Sequence, residues 1–141
     1  LTLYLDTSAL VSAFTNEAAT ERVQDWLAEQ DIEDCSISSL VITEFSSALS
    51  IKLRTSHITL AERVDILAAF ARFATPNFHV LDVEPRQFRT AAVFADHYEL
   101  GLRAADAMHL AICADHGVRL CTLDRRLADA GPALGVATQL L

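Results

Sequence analysis

Apolar residues fall along this chain either in short solid runs or in helically spaced stripes. The first run, residues 1–5, is apolar and β-prone and stops at Asp6. It predicts a strand, then a short helix over residues 7–14 with Leu10, Val11 and Phe14 on one side. A second helix is expected from Asn16 or Glu17, carried by Val23, Trp26 and Leu27, with Trp26 in the core. Residues 31–34 break the pattern, and residues 35–38 form a short strand. Ser38 or Ser39 caps the next helix, about residues 40–54, whose apolar face is Leu40, Val41, Phe45, Ala48 and Leu49. After a break at residues 55–57, Thr59 and Glu62 have capping-box spacing. They open a helix through Leu67 and Phe70 to about Ala74, which Thr75-Pro76-Asn77 ends.

The second half repeats the theme. Residues 78–83 predict a strand, and Glu84-Pro85 a cap followed by proline in the first helical position. That helix runs to about Tyr98, with Gly101 as a left-handed cap. A helix over residues 104–116 stops at Gly117, residues 118–122 form a strand, and residues 124–130 a short helix. Gly131-Pro132 is a break, and residues 135–138 are an edge strand. Strands alternating with helices imply an α/β fold, a mainly parallel central sheet with helices on both faces, and the strand before Asp6 is expected at its centre. No linker or repeat divides residues 1–141, which read as one domain.

With 52% hydrophobic residues among 141, the chain can build a core without disulfides. Cys35, Cys113 and Cys121 lie in apolar segments without C-x-x-C spacing, so they read as buried thiols in a reducing cytosol. No run spans a bilayer and no signal peptide is visible. Leu rather than Met at position 1 suggests trimming. The net charge of -8 argues against nucleic-acid binding by bulk electrostatics, unless bound cations make a site attractive to phosphate.

Four carboxylates occupy places that the pattern makes apolar or terminal. Asp6 and Asp124 follow strands; Glu44 and Asp106 flank the buried stripes of helices near their starts. Each alone has an ordinary explanation: an Asx turn at Asp6, an N-cap at Asp124, first-turn acids at Glu44 and Asp106. In a parallel sheet all four can converge at one edge. Two carboxylates ~4 Å apart repel by about 4 kcal/mol at an effective dielectric of ~20, so converging acids must take up protons or bind a cation.

Oxygen ligands without paired His or Cys favour Mg²⁺ or Mn²⁺ over Zn²⁺. His109, three residues after Asp106, reads as a packed or capping side chain. The absence of G-x-S-x-G leaves Ser8 an orienting role beside Asp6. A carboxylate cluster holding one or two such metals suits phosphodiester hydrolysis, with neutralised phosphate and an acidified attacking water. Lys52, Arg54, Arg103, Arg125 and Arg126 are rim candidates for an RNA backbone, each equally readable as ordinary surface charge.

The stretches 5–10, 39–45, 102–111 and 122–127 resemble, in order and spacing, the motifs of PIN domains, and most of all VapC-type toxins of bacterial toxin–antitoxin pairs. The resemblance implies a PIN-like three-layer fold and a Mg²⁺- or Mn²⁺-dependent endoribonuclease. It carries Asp6, Glu44, Asp106 and Asp124 over as catalytic and metal-binding acids, with Ser8 and Thr122 in support. It also implies a homodimer held inactive by a VapB-type antitoxin whose tail reaches the active site. A haloacid-dehalogenase-like phosphatase would need a second Asp where Ser8 stands. A receiver domain would need paired acids after the first strand and a Lys near the last, whereas the single Lys is Lys52. A PIN-like module that binds without cutting remains the third alternative.

Overall fold

In the computed structural model, which describes residues 2–141, short strands alternate with helices. The strands are β1 (Leu3–Leu5), β2 (Cys35–Ser38), β3 (His79–Leu81), β4 (Arg119–Thr122) and β5 (Thr138–Leu140). The helices are α1 (Thr7–Phe14), α2 (Thr20–Ala28), α3 (Ser39–Arg54), α4 (Leu60–Asn77), α5 (Pro85–Ala95), α6 (Ala104–His116) and α7 (Arg125–Ala133). All strand pairs are parallel, in the order β3-β2-β1-β4-β5. This is the α/β, PIN-like architecture expected from the sequence, with β1 at the centre.

Strand order runs outward from β1 in both directions, so the winding reverses between β1 and β4. Open α/β sheets bind ligands in the crevice that such a reversal leaves at the carboxyl ends of the strands. The inner strands are buried on both sides, as parallel strands are: Tyr4, Leu5, Cys35, Leu120 and Cys121 have no exposed surface. Helices α1 to α4 pack on one another around Phe14, Phe45 and Phe70, with the Phe45 and Phe70 rings stacked at 4.0 Å; α5 packs on α6. The three cysteines lie in the core as unpaired thiols. Burial pushes Cys35 up to about 11 and Cys121 up to about 12, which makes both inert. Among the described residues no helix is long and apolar enough to cross a membrane.

Several boundaries differ from the sequence reading for identifiable reasons. Helix α2 starts at Thr20, not at residue 16 or 17. The Thr20 hydroxyl donates to the carbonyls of Ser12 (2.7 Å) and Thr15 (3.1 Å) and accepts from the Glu17 amide (2.8 Å), holding residues 15–19 as a turn. Pro76 lies inside the last turn of α4, where its missing N–H costs one hydrogen bond, and Asn77 Nδ2 donates back to the Phe73 carbonyl at 2.6 Å. Gly131-Pro132 is no break: both residues are in α7, and Gly131 is there because β5 passes so close that a Cβ would meet Thr138 Cγ2 and the Val136 carbonyl. Helix α5 stops at Ala95. Gly101, at φ 64°, instead ends a 3-10 turn over Tyr98–Leu100. The strand after Phe78 is only His79–Leu81, and the last edge strand starts at Thr138.

Candidate active site

Asp6 is the residue on which β1 ends and α1 begins. Its backbone is extended and its side chain caps the helix. It is 4% exposed. Oδ1 accepts from the Ser8 hydroxyl (2.6 Å) and the Ala9 amide (3.1 Å), and Oδ2 accepts from the Thr122 hydroxyl (2.5 Å). Thr122 is the last residue of β4, so this bond closes the mouth of the β1–β4 crevice. The two hydroxyl oxygens are themselves held: Ser8 accepts from the Leu123 amide and Thr122 from the Asp124 amide, both at 3.0 Å. Burial pushes the Asp6 carboxyl above its ordinary value. The Ser8 and Thr122 hydroxyls, the His109 charge and the Ala9 amide draw it partly back. The orienting role expected of Ser8, and the supporting role carried to Thr122, thus have hydrogen bonds behind them.

Glu44 lies on α3, which starts at the end of β2, the other neighbour of β1, and is capped by the Ser38 hydroxyl. Its Oε1 accepts from the Thr7 hydroxyl (2.8 Å) and from His109 Nε2 (2.6 Å). The side chain is 29% exposed. Burial raises the Glu44 carboxyl, but the His109 hydrogen bond and charge and the Thr7 hydroxyl outweigh it, so the net shift is downward. His109 is 3% exposed, and its Nδ1 lies 2.8 Å from the Tyr4 hydroxyl, which is 2.7 Å from the Ser38 hydroxyl.

Asp106 stands in the first turn of α6, one turn before His109 and half-buried; its Oδ2 accepts from the Arg103 amide at 3.0 Å. Asp124 is exposed and caps α7 through Oδ1, which accepts from the Leu127 amide at 3.2 Å. The capping explanation for Asp124 is therefore real, and among the described residues it leaves Oδ2 without a protein donor. Among the described residues the same holds for Glu44 and Asp106: one oxygen takes protein donors and the other takes none.

Protein donors and strand ends order these acids, but they do not form a closed cage. Among the described residues no three His, Cys, Asp or Glu side chains make a group that could hold a metal ion by themselves. The donor set still fits a hard dication. All its atoms are carboxylate oxygens, three of them without protein partners among the described residues, and Mg²⁺ commonly takes one or two carboxylates and completes its shell with water and phosphate.

Of the basic candidates, Lys52 is tied to Glu17 at 2.7 Å, and Arg54, Arg103, Arg125 and Arg126 are exposed. The sequence reading treated His109 as packing or capping and passed over Thr7, Tyr4 and Ser38. The available signal was a histidine on the buried stripe one turn after Asp106. A separate groove of about 680 Å³, lined by Phe14, Leu27, Arg72 and Phe73 among others, contains none of the four acids.

Comparison with known proteins adds an independent observation. The family model of the PIN domain matches residues 3–131. The chain is 31% identical over 140 residues to Ribonuclease VapC35 of Mycobacterium tuberculosis, covering 96% of this chain and 93% of that protein. It shares its fold with VapC20 of Mycobacterium tuberculosis, a sarcin–ricin-loop-cleaving toxin, at a TM-score of 0.74 and 19% identity over 92% and 95% of the two chains. DNA-bound VapBC from Salmonella typhimurium superposes with a TM-score of 0.69 at 19% identity, over 99% and 97%.

Proposed function

The chain belongs to the PIN-domain family, and from that membership we propose that it is a divalent-metal-dependent endoribonuclease, the toxin of a VapBC-type toxin–antitoxin pair. The observation that carries this reading is a buried Asp6 at the sheet's switch point, with Glu44 bonded to the adjoining Thr7; among the described residues Glu44, Asp106 and Asp124 each keep one oxygen without a protein donor. A curated relative named as a ribonuclease, similar over nearly the whole chain, supports RNA as the substrate.

Asp6, Glu44, Asp106 and Asp124 are the residues that would hold Mg²⁺ or Mn²⁺. When bound, such a metal neutralises the phosphate, acidifies an attacking water and stabilises the leaving oxygen. The remaining work falls to the chain. Ser8 and Thr122 keep the Asp6 carboxylate in one orientation. Thr7 and His109 keep Glu44 ionised. Exposed Arg103 and Arg125, at the starts of α6 and α7, would meet the RNA backbone, with Arg54 at the end of α3 as a further candidate. Lys52 would have to leave Glu17 to join them. A protein of net charge -8 repels RNA on average, so the cation also supplies the local attraction. A VapB-type antitoxin partner is supported by the VapBC complex of like fold. A homodimer acting in the cytosol completes the proposal.

That no three-acid cluster stands ready among the described residues favours one second reading, a PIN-like module that binds RNA or a partner without cutting. Incubation with total cellular RNA in Mn²⁺ and in EDTA, with mapping of the ends, separates the two. Discrete cuts made only in Mn²⁺ are expected. Intact RNA under both conditions, or cuts that persist in EDTA, would reject the nuclease proposal.

A further inference from the structure

Glu44 is backed by a chain of hydrogen bonds through His109, Tyr4 and Ser38. At one end the Val41 amide donates to the Ser38 hydroxyl oxygen at 3.4 Å. At the other, an ionised carboxylate only accepts, so the 2.6 Å contact between His109 and Glu44 takes its proton from Nε2. In a neutral ring Nδ1 is then the acceptor. In that tautomer the Tyr4 hydroxyl donates to Nδ1 at 2.8 Å and its oxygen can accept from Ser38 at 2.7 Å; in a charged ring Nδ1 donates to the Tyr4 oxygen instead, and the ring is held in either state. The series runs from the end of β2, through β1, to α6 and back to α3.

We propose that His109 is a positioning residue, locked by Tyr4 and Ser38, that fixes Glu44 through Oε1 and so holds Oε2 available for a divalent cation. The proposal rests on the reading of Glu44 as part of the metal site. Two features separate it from simple burial of a satisfied histidine. Both donors to Glu44, Thr7 and His109, fall on the same oxygen, so among the described residues the second oxygen has no protein partner. Glu44 also carries three rotatable bonds and is only part-buried, so an unheld side chain would lose that freedom on binding a cation and bind it more weakly. Partners that orient metal-ligating side chains in this way typically matter 10–100-fold in metal affinity or activity.

The experiment is titration of the full chain with Mn²⁺ alone, by calorimetry, for the wild type, Glu44→Gln, His109→Met, His109→Gln and Tyr4→Phe, each checked for folding by circular dichroism. Met keeps the bulk of the ring and removes the donor; Gln restores an amide N–H near the position of Nε2. The expected result is a loss of roughly 10–100-fold in Mn²⁺ affinity for His109→Met, recovery to within a few-fold in His109→Gln, and an intermediate loss in Tyr4→Phe. RNA cleavage by His109→Met should recover as Mn²⁺ is raised, which a damaged fold would not allow. A folded His109→Met that binds Mn²⁺ like the wild type overturns the proposal. If that variant does not fold, an unchanged affinity in Tyr4→Phe overturns it. A wild type that binds no Mn²⁺ overturns the metal reading itself and this inference with it, whereas wild-type binding abolished in Glu44→Gln but untouched in the His109 variants overturns the inference alone.

Discussion

The hydroxyl of Thr122 donates to Oδ2 of Asp6 at 2.5 Å, joining residues 116 positions apart at the carboxyl ends of neighbouring strands. With Ser8 on the other oxygen, this bond lets a carboxylate sit buried in the crevice where the sheet reverses its winding. The relationship makes Thr122 more than a strand residue, and it can be tested by exchanging its hydroxyl for a methyl group.

Thr122→Val keeps the branched shape and deletes the hydroxyl. Asp6 Oδ2 then loses its donor while still buried, a change that costs about 1–3 kcal/mol. Urea denaturation at pH 7 should show that loss at an unchanged m-value, and RNA cleavage should fall with it. Stability equal to wild type would show that the bond contributes little.

Asp6 also sets the pH dependence of the metal-free protein. Its carboxyl is raised by burial, so the folded chain holds that proton more tightly than the unfolded chain does. Its contribution is therefore full below the ordinary Asp value of about 3.9 and falls as pH climbs through the raised value. Glu44, shifted down, acts in the opposite sense: its contribution is full above the ordinary Glu value and is lost as pH drops through its lowered one. Asp6→Asn, melted in EDTA, should be at least as stable as wild type at pH 7, with an advantage that grows from about pH 4 upward, and should not cut RNA. A variant less stable than wild type at every pH would contradict this account.

Asp124 has two duties that substitution can separate. Asn is as good an N-cap as Asp, whereas Ala costs about 1 kcal/mol at such a position. Asp124→Asn should therefore keep wild-type stability and lose activity, while Asp124→Ala should lose both. Thermal melts beside RNA cleavage assays decide the matter. Full activity in Asp124→Asn would reduce this residue to its cap.

If the acids share a cation, the cation must stabilise the fold. At a hundred times its dissociation constant, Mn²⁺ should add about 2.7 kcal/mol, reversed by EDTA and diminished in Glu44→Gln and Asp106→Asn. Melting temperatures that ignore Mn²⁺ would count against a shared site.

Much of this was legible before any coordinates. The Thr59–Glu62 capping box, the Ser38 cap and the proline opening α5 are local devices, and both bonds of the box are present. The alternation of strands and helices announced the parallel sheet, and carboxylates beside apolar stripes supplied the candidate acids. What stayed hidden depends on distant partners. Gly131-Pro132 looked like a break because nothing nearby reveals that β5 presses on α7 there. His109 looked like packing because its partner Glu44 is 65 positions away. The Lys52–Glu17 ion pair, 35 positions apart, was likewise invisible in the sequence. Local chemistry writes caps and turns, whereas pairings across the sheet appear only once the chain has closed on itself.

The central claim is that Asp6, Glu44, Asp106 and Asp124 serve one cation. It is tested most directly by crystals of the protein soaked in Mn²⁺ and measured for anomalous scattering at the manganese edge. A peak coordinated by Glu44 Oε2 and by oxygens of Asp6, Asp106 and Asp124 at the mouth of the β1–β4 crevice is the expected result. A saturated crystal with no peak there, its four carboxylates turned to separate patches of solvent, would contradict it.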